Sequence, residues 1–146
     1  MVFKKILIAV DDSECSYKAA KTGFHLAKNL GAEVKLVCVV DEKYLIANPE
    51  FRTSYVDLYN LHLEQAEKIV NKVSKELGKD CKVSVETPRN NPAAAIIEIS
   101  KDWGADIVVM GTHGKSGIAK MFMGSTSQYV VRHIQIPCMI VRQDED

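Results

Sequence analysis

The segment GTHGKSGIAKMFMGSTS, from Gly111 to Ser127, sets Gly111, Gly114, Gly117 and Gly124 among Lys115, Ser116, Lys120, Ser125, Thr126 and Ser127. Glycine lets backbone amides turn toward a ligand with no Cβ in the way, and consecutive amides can make an anion-binding nest. Lysine adds a point charge, and hydroxyls donate to phosphate oxygens. Gly124-Ser125-Thr126-Ser127 also opens a helix, where unpaired amides and the positive end of the dipole favour an anion by roughly 0.3–1 kcal/mol. The chemistry indicated is phosphate binding. A plainer reading stays open beside it: Gly124 and Ser125 start and cap a helix, and the other glycines make turns. Two better-known phosphate signatures do not occur. The Walker pattern G-x-x-x-x-G-K-[ST] needs a glycine five residues before Gly114, where Val109 stands, and G-x-G-x-x-G is absent.

Single side chains around this segment have a chemical and a plain reading each. Lys115 has the strongest case as a phosphate contact. His113 lies inside the loop, but no carboxylate can be placed beside it from sequence, so a solvated loop histidine is the expectation and a phosphate contact the alternative. Asp11 ends an apolar run, where a carboxylate is suited either to a ligand or metal ion or to a turn. Asp12 and Ser13 read as helix caps and Asp41 as turn chemistry. His25, His62 and His133 read as helix-flank residues without chemistry.

The elements that must carry these residues follow from periodicity. Residues 3 to 10 (FKKILIAV) form a strand, and Asp11-Asp12-Ser13 leads into a helix over about 14 to 30 with Ala20, Phe24 and Ala27 on one face, closed by Gly31. A second strand is expected over 33 to 40, then an irregular, mobile connection from 41 to 54. A helix over about 55 to 77 places Leu58, Leu61, Ala66, Ile69, Val73 and Leu77 on one face and ends at Gly78. The alternating run CKVSVET follows, then Asn91-Pro92 as cap and first residue of a helix to about Trp103, stopped by Gly104. The uninterrupted run IVVM after Asp106 reads as a strand covered on both faces. A last helix over Ser125 to His133 and a strand in IPCMIV complete a β-α-β-α-β-α-β-α-β order. That order demands right-handed crossovers and a mainly parallel sheet with helices on both faces. Ligands then sit beyond the carboxyl ends of the strands where strand order reverses.

Composition excludes several classes. With 146 residues the chain is read as one domain, 1–146, large enough for a core without staples. Its 19 basic and 19 acidic residues cancel, which leaves no electrostatic footprint for nucleic acid. The apolar runs are too short to span a bilayer and the first residues read as a strand, so the expected location is the cytoplasm. Cys15, Cys38, Cys81 and Cys138 are scattered, as buried or half-buried thiols of a reducing compartment would be.

Gly111-x2-Gly114-x9-Gly124-Ser125 resembles the G-x2-G-x9-G-[ST] signature of the ATP-binding branch of the universal stress proteins. The likeness extends to the first strand with its terminal Asp11, the second strand ending VVD, and IPCMIV, covering all but the connection around residues 41 to 60. It implies a single-domain three-layer α/β/α fold, Rossmann-like and akin to the adenine nucleotide alpha hydrolases, with a five-stranded parallel sheet of order 3-2-1-4-5. The nucleotide would lie over Asp11 and Gly111, with the adenine near Ala9, Val10 and Val39, whose main chain can read the base edge. Some members carry proline where Ala9 stands; alanine leaves room as well. The glycine-rich SGGxDS loop of the related pyrophosphatase-type fold is not matched, since VDDSECS stands there. The expected ligand set is Ala9, Val10, Asp11, Val39, Met110, Gly111, Thr112, His113, Gly114, Lys115, Ser116, Gly117, Gly124, Ser125, Thr126 and Ser127.

The function this implies is regulatory: ATP bound with Mg²⁺ (or Mn²⁺), an altered surface for a protein partner, and a homodimer through the last strand. The alternative is a slow ATPase or nucleotide hydrolase at the same site. It is weakened by the lack of an arginine in the loop and of a general base paired to an orienting group, so no efficient catalysis is expected. A nucleotide-free interaction module is a third reading.

Overall fold

The computed structural model describes residues 2–46, 50, 54–113 and 123–143. In chain order the elements are β1 (Lys5–Ala9), α1 (Glu14–Leu30), β2 (Glu33–Val37), β3 (Val40–Asp41), a 3₁₀ turn (Glu42–Tyr44), α2 (Tyr55–Leu77), β4 (Val83–Glu86), β5 (Arg89–Asn90), α3 (Pro92–Trp103), β6 (Ile107–Gly111), α4 (Ser125–His133) and β7 (Cys138–Val141). Five strands form one parallel sheet in the order β4-β2-β1-β6-β7. This is the expected 3-2-1-4-5, once the two-residue strands β3 and β5, which pair with each other, are set aside.

Alternation along β1 builds the two faces. Ile6, Ile8 and Val10 pack with Ala20 and Phe24 of α1 and Val70 and Val73 of α2, while Leu7 packs with Ile96 and Ile99 of α3, Val108 of β6 and Val130 of α4. β6 is buried throughout, as its unbroken apolar run requires. Each such fully buried aliphatic side chain contributes about 1.5–3 kcal/mol relative to exposure.

Helix ends follow the local chemistry. The Ser13 hydroxyl accepts from the Ser16 amide and caps α1, and the Asn91 side chain accepts from the Ala94 amide and caps α3 with Pro92 in first position. Gly31 and Gly104 adopt φ of 64° and 75°, the left-handed geometry that ends a helix. Gly78 ends α2 differently. Its φ is −99°, open to any residue, but a Cβ there would lie 2.8 Å from the Ser74 carbonyl oxygen and 2.9 Å from Cγ2 of Val83. The glycine is there for close packing.

Three expectations are corrected. Leu61 is 51% exposed, because it sits about 140° around the helix from Ala66; Val70 completes the buried stripe with Ala66 and Val73. The 33 to 40 run is not one strand. After Val37 the chain leaves β1: the Cys38 amide donates to the Glu86 carbonyl and the Val40 amide to that of Pro88. Residues 41–46 are not a featureless connection either. Asp41 accepts from the Lys43 amide to cap the 3₁₀ turn, and Leu45 is buried in the core. The remaining residues of that connection lie outside the described set, apart from Glu50 and Ser54.

All four cysteines are unbridged, Cys15 and Cys38 buried and Cys81 and Cys138 half-buried. Burial pushes the Cys138 thiol up to about 11, so it stays protonated at neutral pH. Among the described residues no helix is long and apolar enough to cross a membrane.

The Gly78 contacts make a stability prediction. Gly78→Ala should lower the unfolding free energy by about 1–3 kcal/mol, since the carbonyl it meets belongs to the helix backbone and cannot swing aside. Urea denaturation checks this, with Lys79→Ala expected within about 0.5 kcal/mol of the parent. An unchanged midpoint for Gly78→Ala would contradict the packing assigned to that turn.

Candidate functional site

At the carboxyl ends of the strands lies a cavity of about 660 Å³. Its floor comes from the tips of β1 (Ala9, Val10, Asp11, Asp12), β2 and β3 (Val37 to Asp41) and β6 (Met110, Gly111, His113). Two further walls come from Met123 and Gly124 to Ser127 at the start of α4, and from Pro92 and Ile96 of α3. The last wall is α2 and the 3₁₀ turn, through Lys43, Tyr44, His62, Gln65, Lys68 and Ile69. This is the crevice beside β1 where strand order reverses. The departure of β2 from β1 after Val37 opens it.

The start of α4 differs from the other helix starts among the described residues. Ser13, Ser54 and Asn91 cap α1, α2 and α3 with their side chains, whereas Gly124 leaves α4 without a side-chain cap. The Gly124 amide donates to the Thr112 carbonyl at 2.7 Å, and the Gln128 amide begins the helical ladder on the Gly124 carbonyl. Between them, the amides of Ser125, Thr126 and Ser127 have no acceptor within the helix and form the positive end of its dipole. Ser127, buried, directs its hydroxyl to the Thr112 carbonyl at 2.7 Å and the Gly124 carbonyl at 3.0 Å. It shapes the base of the loop, while Ser125 and Thr126 line the cavity beside it.

Thr112 is the anchor of this corner. Its carbonyl takes the two bonds just given, and its amide donates to the Val141 carbonyl of β7 at 3.0 Å. The approach of Gly124 is close: a Cβ at that position would fall 3.2 Å from the Thr112 oxygen. Gly111, which lines the cavity, also has a packing role. It is buried, and a Cβ there would lie 2.7 Å from Cys15 Sγ and 3.1 Å from the Cys15 carbonyl oxygen, so glycine lets the first turn of α1 pack on the end of β6. Neither Gly111 nor Gly124 has positive φ.

Asp11 sits where the sequence placed it, half-buried at the tip of β1 on the cavity wall. Its Oδ1 accepts from the Ser13 amide at 2.8 Å, and its own amide donates to Ser16 Oγ at 3.0 Å. The turn fixes one carboxylate oxygen and the backbone direction together. Asp41 proves to be turn chemistry, with Oδ1 on the Lys43 amide, yet it also lines the cavity.

His113 overturns the expectation of a solvated histidine. It is 8% exposed, and its Nδ1 lies 3.0 Å from Thr112 Oγ1. The structure thus brings together Ala9, Val10, Asp11, Val39, Met110, Gly111, Thr112, His113, Gly124, Ser125, Thr126 and Ser127. Val39 is half-buried where β2 has left the sheet, with the cavity beside it. Gly114, Lys115, Ser116 and Gly117 lie outside the described residues, as do Lys120, Met121 and Phe122.

The wall from α2 was missed from sequence. His62, Gln65, Ala66 and Ile69 follow i, i+3, i+4, i+7, so half-buried His62 and exposed Gln65 flank buried Ala66 on the side of the helix that borders the cavity. That interruption was the available signal. His62 also stacks on Tyr44, with ring centroids 6.2 Å apart. His25 and His133 do remain on helix flanks, bonded to Asn29 and to the Tyr129 carbonyl.

Comparison with known proteins agrees with this geometry. The universal stress protein family matches residues 2–142. The universal stress protein MJ0531 of Methanocaldococcus jannaschii is 32% identical over 144 residues, covering 97% of this chain and 84% of that one. The solved structure of MJ0577 from the same organism superposes with a TM-score of 0.88 at 29% identity, with 100% of both chains covered. A universal stress protein from Archaeoglobus fulgidus, solved in complex with dAMP, shares the fold at a TM-score of 0.69 and 16% identity, over 97% of this chain and 100% of that one. The chain belongs to the universal stress protein family.

Proposed function

We propose that this protein binds an adenine nucleotide, ATP with Mg²⁺ (or Mn²⁺), and acts as a cytoplasmic regulatory protein of the ATP-binding branch of its family. The observation that carries the proposal is the start of α4, uncapped by any side chain, whose first three amides lack helical acceptors beside a cavity at the strand tips. The cavity volume of about 660 Å³ suits a small-molecule site, for which roughly 300–1,000 Å³ is usual. In this assignment the amides of Ser125, Thr126 and Ser127 hold phosphate oxygens. Asp11 takes a ribose hydroxyl, and Ala9, Val10, Val39 and Met110 pack on the base.

Gly114, Lys115, Ser116 and Gly117 enter on the glycine spacing of the sequence, as further phosphate donors. Among the described residues no group of three or more His, Cys, Asp and Glu side chains is arranged to hold a metal. Mg²⁺ keeps several waters and would take its remaining ligands from phosphates and one or two carboxylates. Asp11, which lines the cavity, would make such a contact as the alternative to the ribose hydroxyl. The relative solved with dAMP supports an adenine base. Regulation requires that free and loaded states present different surfaces to a protein partner, and Gly111 to Ser127 is the segment that would differ.

The proposal extends to a homodimer through β7, which lies at one edge of the sheet. The Val108 amide donates to the Pro137 carbonyl and the Thr112 amide to that of Val141. By strand alternation Cys138 and Ile140 turn their backbone groups outward, where a second β7 can pair.

Calorimetric titration with ATP and AMP in the presence of Mg²⁺ should show saturable binding; no heat or competition at millimolar nucleotide would refute the proposal. Ser125→Pro gives a sharper check, because proline at the first helical position deletes one amide donor, and Gly124, at φ −66° and ψ 160°, already has the backbone that precedes proline. It should weaken ATP by roughly 10-fold while leaving the melting temperature within a few degrees, and Ser125→Ala, which keeps the amide, should lose less. Sedimentation velocity should find a dimer that Ile140→Pro converts to monomer; a monomeric parent would remove the dimer from the proposal.

A further inference from the structure

The contacts proposed above for a nucleotide use the strand tips and the start of α4, and they leave the wall built by α2 and the 3₁₀ turn without an occupant. That wall has a definite construction. His62, Gln65 and Ile69 all line the cavity and recur at i, i+3 and i+7, a spacing that turns side chains of one helix face toward it over a length of about 10 Å. Tyr44 ends the 3₁₀ turn next to Leu45, which is 2% exposed in the core and pins the turn to the body of the protein. The Tyr44 ring lies within 22° of parallel to the His62 imidazole, with centroids 6.2 Å apart. It is still 47% exposed.

These groups suit a planar heterocycle that carries negative charge beside it. A tyrosine–histidine stack with one ring exposed can be extended by a further ring, and stacking is the contact that any nucleobase can make. Gln65, one turn along from His62, offers both a donor and an acceptor to the edge of such a ring, and Ile69 offers apolar surface. Two cations stand at the same wall. Lys43 Nζ is 3.7 Å from Asp41 and Lys68 Nζ is 3.3 Å from Glu64, with the lysine side chains 62% and 76% exposed. Ion pairs so exposed are worth little, so both ammonium groups can turn toward an anion at small cost. An aliphatic chain on this wall would leave the rings, the amide and both lysines unused.

We propose that the cavity takes a dinucleotide, two nucleosides joined through a chain of phosphates, with the second base stacked on the Tyr44–His62 pair. Gln65 reads the edge of that base, and Lys43 and Lys68 meet the linking phosphates. The place of the first nucleoside rests on the function proposed above; the subsite on α2 is additional to it.

The test titrates the full chain, with Mg²⁺, with diadenosine tetraphosphate and diadenosine pentaphosphate against ATP and adenosine tetraphosphate, the last of which has the phosphates without the second nucleoside. At least one diadenosine compound should bind roughly 10- to 100-fold tighter than adenosine tetraphosphate, the gain expected of one base on aromatic side chains. Tyr44→Ala or His62→Ala should remove most of that ratio, and Tyr44→Phe, which keeps the ring, should keep it. Reading the ratio within each variant cancels any general loss of stability. In proton spectra the Tyr44 and His62 ring signals should move upfield with the diadenosine compound and stay near their free positions with adenosine tetraphosphate. Affinities no higher for either diadenosine compound, with ATP bound, would overturn the second subsite and leave the proposed function standing. A ratio that survives both alanine variants would overturn the place given to the second base. No binding by any of the four compounds would overturn this inference together with the function it rests on.

Discussion

The carbonyl oxygen of Thr112 holds the site together. It accepts from the Gly124 amide and from the Ser127 hydroxyl, each at 2.7 Å, while the amide of the same residue is bonded to Val141 of β7. One residue thereby ties the end of β6 to its sheet neighbour and to the first turn of α4. The first three amides of α4, like those of any helix, have no acceptor within it, and because glycine has no side chain to offer as a cap, no cap takes one of them at the rim of the strand tips. The site is the consequence of where the helix is stitched to the sheet.

The space beside those amides depends on the other half of the sheet. β1 and β2 run in register from Lys5 opposite Glu33 to Ala9 opposite Val37, and then part company. Cys38 and Val40 take their acceptors from Glu86 and Pro88, and β3 finds its partner in β5. At the opposite end of the sheet Asp106 holds the strands close: its carboxylate accepts from the amides of Lys4 and Lys5, and its own amide donates to the Lys5 carbonyl. The sheet is closed at its amino ends and opened at its carboxyl ends. Binding chemistry collects at the open ends, and the closed ends carry stability.

Much of this was legible in the residues. Two-residue periodicity and unbroken apolar runs located the strands, and the cap residues Ser13, Asn91, Gly31 and Gly104 marked the helix ends, because their signals are local. The glycine segment, singled out because its length and composition exceed what a turn requires, joins the two ends that border the cavity, the tip of β6 and the start of α4. What stayed hidden was non-local. Gly111 and Gly78 are glycines because of Cys15, Ser74 and Val83, neighbours that only the packed structure supplies. The burial of His113 has no local sequence signal, and the bend of β2 away from β1 goes with acceptors at and after the end of β4, Glu86 and Pro88. The polar pair His62 and Gln65 was present in the sequence, but its place beside the cavity was fixed only by the phase of Ala66, Val70 and Val73.

The most direct measurement of the central claim is amide NMR of the full chain titrated with Mg²⁺-ATP. Phosphate at the start of α4 should shift the amide protons of Ser125, Thr126 and Ser127 strongly downfield as they gain charged acceptors, with smaller changes at Asp11 and Val39 and none at the Asp106 end of the sheet. Saturable ATP binding that leaves those three amides unmoved would contradict the account.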